Sequence, residues 1–291
     1  MEDILRPIYQ ERASQANTLG VLLVEKKQNS NHLTDSFDVI LIVIVKEAEQ
    51  PLFIKHYTFN DKKAALHVIA EEQIKEWLLL GTNRKIFEWL DNSFILFDRN
   101  EYVVNLKKEL NEFPFYGRKL KMGIEFAKLI RRYTDGKALF EGHQFLDAYN
   151  HIVHSLHHLA RLAIIDNGLH PELTVWHQVK QIEPEIFKLY EELVTSEETL
   201  EKRLELLFLA SEFLIHSKTH VGTEHILDVL EGQEHWSINE MMNEPELIPY
   251  SVDLGMLLEY LVDKHLVEIV RVETKGKGVL HRYYRVEEKL S

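Results

Sequence analysis

The sequence predicts an α+β chain in three parts: a mixed helix-and-strand segment, an all-helical middle, and a tail of short helices ending in a hairpin. Three observations carry this. The run Ser36–Val45 is a continuous apolar stretch of strand length, entered through Asp38. From about Arg118 to Glu231 the apolar residues recur at helical spacing and no strand-like run interrupts them. Near the C-terminus, Lys275-Gly276-Lys277-Gly278 separates two alternating runs, which is a hairpin signal.

The elements follow in order. Glu2–Ala16 reads as a helix. Leu19–Lys26 and Ser36–Val45 read as strands joined by a polar loop containing Asn29, Ser30 and Asn31. Leu52–Phe59 alternates, turns at Asn60-Asp61 and returns as Lys63–Ala70, a second hairpin. Glu71–Leu80 and Thr82–Leu90 read as helices separated by Gly81. Phe94–Phe97 is a short strand ending in Asp98, a turn position, and Glu101–Glu112 is a helix. Pro114 and Gly117 mark a boundary.

In the middle, Arg118–Tyr133 reads as one helix stopped near Asp135-Gly136. A long helix follows from about Glu141 to Asn167, stopped by Gly168 and Pro171. Val175–Gln181 and Glu185–Val194 are shorter. A further helix opens at Ser196–Thr199 and reaches about Lys218, and Thr223–Leu230 is read as separate. In the tail, Ser237–Met242 and Asp253–Lys264 are helices, and Leu266–Glu273 and Val279–Val286 are strands. Two helices followed by a basic two-stranded wing resemble a winged helix-turn-helix. The expected domains are 1–116, 117–235 and 236–291.

Composition excludes several function classes. There is no cysteine, so disulfides, thiolate zinc sites and cysteine nucleophiles are absent. The start Met1-Glu2-Asp3-Ile4 is acidic, unlike a signal peptide, and the longest apolar run is too short for a membrane helix. A cytoplasmic protein with no membrane contact is expected. Net charge is −13, which disfavours non-specific nucleic-acid binding. The charge is uneven: Glu183–Glu246 holds 16 acids against 4 bases, whereas Asn111–Lys137 holds 7 bases against 3 acids.

Asp38 is the first candidate for chemistry. An acid at the mouth of a buried strand is desolvated unless donors or a cation compensate it, and metal-dependent enzymes hold acids on a sheet in this way. Asp35 lies just outside. The position two residues on, which shares a strand face with Asp38, is Ile40. By spacing alone, Asp38 reads first as a strand-edge acid satisfied by backbone amides or a nearby lysine.

A small α/β part with an acid on its second strand, followed by a helical part, resembles the nucleotidyltransferase superfamily. Its aminoglycoside nucleotidyltransferases share the two-part layout, with a mixed sheet first. The stretches that carry the resemblance are Asp35–Leu41, Ala148–His151 with His158–Leu162, and His170-Pro171-Glu172. The superfamily pattern is a Gly-Ser pair, then about ten residues, then two acids flanking one apolar residue. Asp38 matches the first acid. Ile40 replaces the second, and Val24–Gln28, where the Gly-Ser pair belongs, contains neither residue. The resemblance implies Mg²⁺ or Mn²⁺ held by paired acids if the protein is active. Here that leaves Asp38, with His67 on a later strand as the nearest substitute for the third acid.

A second constellation lies on the long helix. At about 100° per residue, Asp147, His151, His154 and His158 fall within about 60° of arc, with His143 and Arg161 beside them. The opposite arc carries Tyr149, Ile152, Val153, Leu156, Leu159, Ala160 and Ala163, so the stripe is expected to point away from the bundle core. It reads as a solvated or interdomain polar face, as a substrate- or phosphate-facing wall of a cleft shared with Asp38, or as a metal site using His154 and His158. The resemblance favours the wall. Lys121, Lys128 and Arg132 share a face on the preceding helix and are candidates to meet a triphosphate, against ordinary solvated lysines and arginines.

Together these features imply a nucleotidyltransferase-like protein with a degenerate site that binds a nucleotide or nucleic-acid end. The alternatives are an active, divergent metal-dependent nucleotidyltransferase and a transcription-associated factor acting through the wing. The tail helix Asp253–Lys264 carries three acids and one base, so specific DNA binding is not expected despite Arg271, Lys275, Lys277, Arg282 and Arg285.

Overall fold

The computed structural model describes residues 2–26, 31–80, 82–83, 85–112, 115–276 and 278–287. Gly81, Pro114, Lys277 and the Lys27–Ser30 segment, on which parts of the sequence reading rest, lie outside the described residues. The chain forms two compact units, 1–114 and 115–291.

The first unit is built on a mixed sheet of five strands among the described residues, in the order β3-β4-β2-β1-β5. These are β1 (Thr18–Glu25), β2 (Val39–Val45), β3 (Leu52–Phe59), β4 (Lys62–Ala70) and β5 (Phe94–Asp98). β2 lies antiparallel to β1 and parallel to β4. All seven residues of β2 are buried, which is why its sequence is apolar on both faces. Ile40, Ile42 and Ile44 pack with Leu22, Ala65 and Ile69 under α3 (Glu71–Leu80), α4 (Lys85–Asn92) and α5 (Tyr102–Glu112). Val39, Leu41 and Val43 pack on the other face with Leu5 and Tyr9 of α1 (Glu2–Ser14). Each such side chain contributes roughly 1.5–3 kcal/mol. The strand begins at Val39, not Ser36. Phe37 and Thr34 instead close a turn after the short α2 (Asn31–Thr34).

The second unit opens with α6 (Phe115–Glu141) and α7 (Phe145–Asp166). These are antiparallel partners, turned by Gly142 and by His143 at φ 58°. Then come α8 (Val175–Ile182), α9 (Pro184–Thr195) and α10 (Leu200–Leu230). Two breaks expected in these helices do not occur, and a glycine lies near each. α6 runs through Gly136, and α10 runs through Gly222 where two helices were expected. Both sit at close helix contacts. A Cβ on Gly136 would lie 3.0 Å from the His151 Cβ, and one on Gly222 would lie 2.3 Å from Phe126 Cγ. The missing side chain serves packing, and hydrogen bonding along the rest of each helix outweighs the roughly 1 kcal/mol propensity cost.

The tail consists of α11 (Ile238–Asn243), a 3₁₀ turn at Ile248–Tyr250, α12 (Leu254–Asp263), β6 (Val267–Glu273) and β7 (Leu280–Val286). Ser237 and Glu240 form a reciprocal capping box on α11. Leu254, Leu257, Leu258 and Leu261 are the buried face of α12. The tail packs onto the bundle. Arg131 of α6 donates to the Val252 carbonyl at 2.6 Å, Tyr260 and Thr219 share a 2.6 Å hydrogen bond, and the Tyr250 hydroxyl meets His225 at 3.0 Å. No helix among the described residues is long and apolar enough to cross a membrane.

Candidate functional site

In the first unit, Asp38 lies at the junction of three strands. Its N–H donates to the Lys63 carbonyl at 2.9 Å, and its carbonyl accepts from Lys26 at 2.9 Å. Its Oδ2 accepts from the Lys63 N–H at 2.8 Å. The carboxylate thus closes a backbone ring at the mouth of the β2–β4 pair. Asp35 adopts φ 52°, is exposed, and is ion-paired with Lys85 at the start of α4.

His67 does not stand beside Asp38. In the parallel register it faces Ile42, whereas Asp38 is at the level of Lys63. Four residues separate the two levels, roughly 13 Å along the strand. His67 instead meets the edge of Trp89, with ring centroids 4.9 Å apart. Burial, and then the charges of His56 and Lys85, lower its pKa to about 4, so at neutral pH the ring is an uncharged packing partner. Trp89 is itself held by a 2.8 Å hydrogen bond to the Leu33 carbonyl. Ile40, at the second-acid position, is 2 % exposed. These residues do not fit a two-ion centre. Asp38 has one oxygen engaged by an amide, Asp35 is tied to a lysine, and His67 lies at a different level of the sheet from Asp38. Asp98 accepts from Val103 and Val104 and caps α5.

In the second unit, two polar stripes face each other across the α6–α7 seam. One is Lys121, Glu125, Lys128, Arg132 and Asp135 on α6. The other is Asp147, His151, His154, His158 and Arg161 on α7. His158 Nδ1 lies 2.7 Å from Glu125 Oε2, and Arg161 Nη1 lies 3.9 Å from the same oxygen. His151 Nδ1 is 4.0 Å from Asp135. Lys128 is 3.8 Å from Glu125.

The stripe therefore does not simply point away from the core. Arg161 and Lys121 are buried, the Glu125 and His158 side chains are 12 % and 14 % exposed, and only Asp147 and His154 stand open to solvent. The reason is the partner helix, which covers the arc that a single-helix projection leaves as surface. Burial raises the Glu125 pKa, but the hydrogen bond and charge of His158, then Lys128 and Arg161, more than offset it and hold the carboxyl at about 2. Burial lowers the Lys121 pKa to about 8, against the pull of Glu125. Burial also lowers that of His154, and the further causes, in order, are Arg132, His158, His151 and Arg161.

Three families match successive stretches of the chain. "Nucleotidyltransferase-like" spans residues 1–118, "YgxA-like substrate binding domain" 119–218, and "Helix-turn-helix domain" 224–286. The uncharacterised protein YgxA of Bacillus subtilis (strain 168) is 56% identical over 284 residues, 98% of this chain and 97% of that one. The crystal structure of a nucleotidyltransferase-like protein from Exiguobacterium sibiricum 255-15 superposes with a TM-score of 0.84 at 41% identity, covering 98% of this chain and 99% of that one.

The chain belongs to the YgxA-like family of nucleotidyltransferase-like proteins.

Within this YgxA-like chain, sequence reasoning singled out both stripes but missed Glu125, the group that organises them. A signal was present. Lys121, Glu125, Lys128, Arg132 and Asp135 repeat the 4-3-4-3 spacing of Asp147, His151, His154, His158 and Arg161, so the two helices offer matching polar seams. In the tail, Arg282 is paired with Glu259 at 2.7 Å and Arg285 with Glu268 at 2.6 Å. Two of the bases read as wing contacts are therefore ion-paired within the winged helix-turn-helix.

Proposed function

We propose that this YgxA-like protein binds a nucleotide and does not transfer it efficiently. The observation that carries the reading is the state of Asp38. One carboxylate oxygen closes the backbone at Lys63, and the position that would supply a second acid is the buried Ile40. A single engaged carboxylate is a poor anchor for a pair of divalent ions that must bridge nucleophile and leaving phosphate. Likeness to a nucleotidyltransferase-like protein along almost the whole chain supports nucleotide recognition as the retained property.

The test is a titration of the full-length protein with each nucleoside triphosphate, with and without Mg²⁺ or Mn²⁺, alongside an assay of pyrophosphate release. Binding that needs no divalent ion, with negligible release, is the expected result. Robust metal-dependent release that Asp38→Ala abolishes would establish the active-enzyme alternative.

A further inference from the structure

α10 is apolar on two opposite faces, and the bundle uses one of them. Leu204, Leu207, Phe208, Ser211 and Ile215 are buried, with Phe208 set against the rings of Tyr133 and Phe140 of α6. On the far side of the helix, at about 100° per residue, Leu206, Leu209 and Phe213 form a stripe. Leu206 is 49 % exposed, Leu209 72 % and Phe213 73 %. Single exposed apolar residues are ordinary, but the outward face of a surface helix is normally polar. The stripe also continues in register. Lys202, Leu206, Leu209, Phe213, His216 and His220 follow a 4-3-4-3-4 spacing and are all exposed, which is the repeat by which one helix seats another. Residues 202–220 span roughly 27 Å of helix, or about five turns of a partner.

Charge decides what kind of partner fits. Glu201, Glu205 and Glu212 line one edge of the stripe, and Glu191–Glu212 holds seven acids against two bases. Glu205 pairs with Lys202 at 2.6 Å and Glu212 with Lys137 at 3.5 Å, but all four side chains are more than 40 % exposed. Such pairs are weak and open to exchange. A nucleic acid or an anionic membrane would meet like charge here. A second copy would as well, because antiparallel pairing of two α10 helices sets the acidic edge of each against the same edge of the other.

We propose that the outer stripe of α10 is a docking surface for an amphipathic helix of another protein, one that carries lysine or arginine beside its apolar residues. Leu209 and Phe213 have the most apolar surface to lose and form the centre of the contact. The glutamate edge steers the partner and fixes its orientation. The stripe lies on a 31-residue helix already held by the bundle, so this side of the contact is ordered before docking. The inference is independent of nucleotide binding, since it uses neither Asp38 nor the polar stripes of α6 and α7.

The test uses the full-length protein and two designed peptides of equal length. Each is an amphipathic helix with leucine at the same heptad positions, flanked by lysine in one and by glutamate in the other. Fluorescence anisotropy of the labelled peptides follows binding at low and physiological salt. The double variant Leu209→Gln/Phe213→Gln is compared with Val252→Gln, a change at a tail residue that is 78 % exposed. Thermal unfolding checks that each variant is folded. The wild type and Val252→Gln are expected to bind the lysine-flanked peptide and not the other, more weakly as salt rises. The double variant should lose about tenfold or more in affinity, and Glu205→Gln/Glu212→Gln should narrow the preference between the peptides. No binding by the wild type, equal binding of both peptides, or binding that survives the double variant overturns the proposal. Analytical ultracentrifugation and flotation with phosphatidylglycerol vesicles complete the test. A dimer, or vesicle binding, that the double variant abolishes would assign the stripe to a second copy or to a membrane and overturn it too.

Discussion

The Glu125 carboxylate and the His158 imidazole stand 2.7 Å apart across the α6–α7 seam, both nearly shielded from solvent. Arg161 closes on the same carboxylate oxygen from the next turn of α7. In such a setting a hydrogen bond to a buried carboxylate is strong, and breaking a buried charged contact is costly.

Glu125→Gln is therefore expected to cost about 3–5 kcal/mol in urea unfolding at neutral pH. The pH dependence has a definite sign. The Glu125 pKa is depressed to about 2 from 4.5, so its contribution is fully present above about pH 4.5 and is lost as pH falls towards 2. The wild type should lose stability across that window more steeply than Glu125→Gln. Equal slopes would show that the seam does not depend on the carboxylate charge.

His67 predicts a second pH effect in the first unit. Its pKa is lowered from 6.5 to about 4 by burial, His56 and Lys85. Between those values the unfolded chain takes up a proton that the folded protein refuses, so stability falls as pH drops from about 6.5 to about 4. His67→Phe, which keeps a ring against Trp89, should flatten that part of the profile in pH-dependent thermal unfolding. An unchanged profile would mean that the His67 ring is protonated in place.

The superfamily pattern has an acid at position 40, but the fold does not accommodate one there. Ile40 is packed in the central strand at 2 % exposure, so Ile40→Asp places a carboxylate in an apolar core. The cost should be on the order of 4 kcal/mol or more, seen as a lowered unfolding midpoint that Mg²⁺ does not restore. A stable variant whose midpoint rises with Mg²⁺ would revive the metal reading.

Gly222 makes a packing prediction. An added Cβ would lie 2.3 Å from the ring of Phe126, which is fully buried. Gly222→Ala gains helix propensity worth about 1 kcal/mol. The steric displacement should outweigh it, leaving a net loss of about 2 kcal/mol. Calorimetric unfolding decides the sign, and a stabilised variant would show that α6 and α10 can separate at no cost.

Much of the architecture was legible before any coordinates. The alternation in Leu52–Phe59 and the continuous apolar run of β2 follow from where each strand lies in the sheet, at its edge and at its centre. The winged tail was announced by its four leucines and its Gly-Lys tip. The polar residues of both stripes were visible as well, since helical spacing places them on one arc. The absence of a partner acid at Ile40 could be read directly, and with it the doubt about metal chemistry.

The sequence by itself determined the kinds of element, their order and the residue types at the seam, because strand and helix periodicity are local properties of a few consecutive residues. Tertiary structure decided the rest. It set His67 about four residues along the sheet from Asp38, since parallel register depends on how two distant strands meet. It carried α6 through Gly136 and α10 through Gly222, since whether a glycine ends a helix or admits a neighbour depends on what packs against it. It joined Glu125 to His158, 33 residues apart, because only the antiparallel packing of two helices can bury one polar stripe against another.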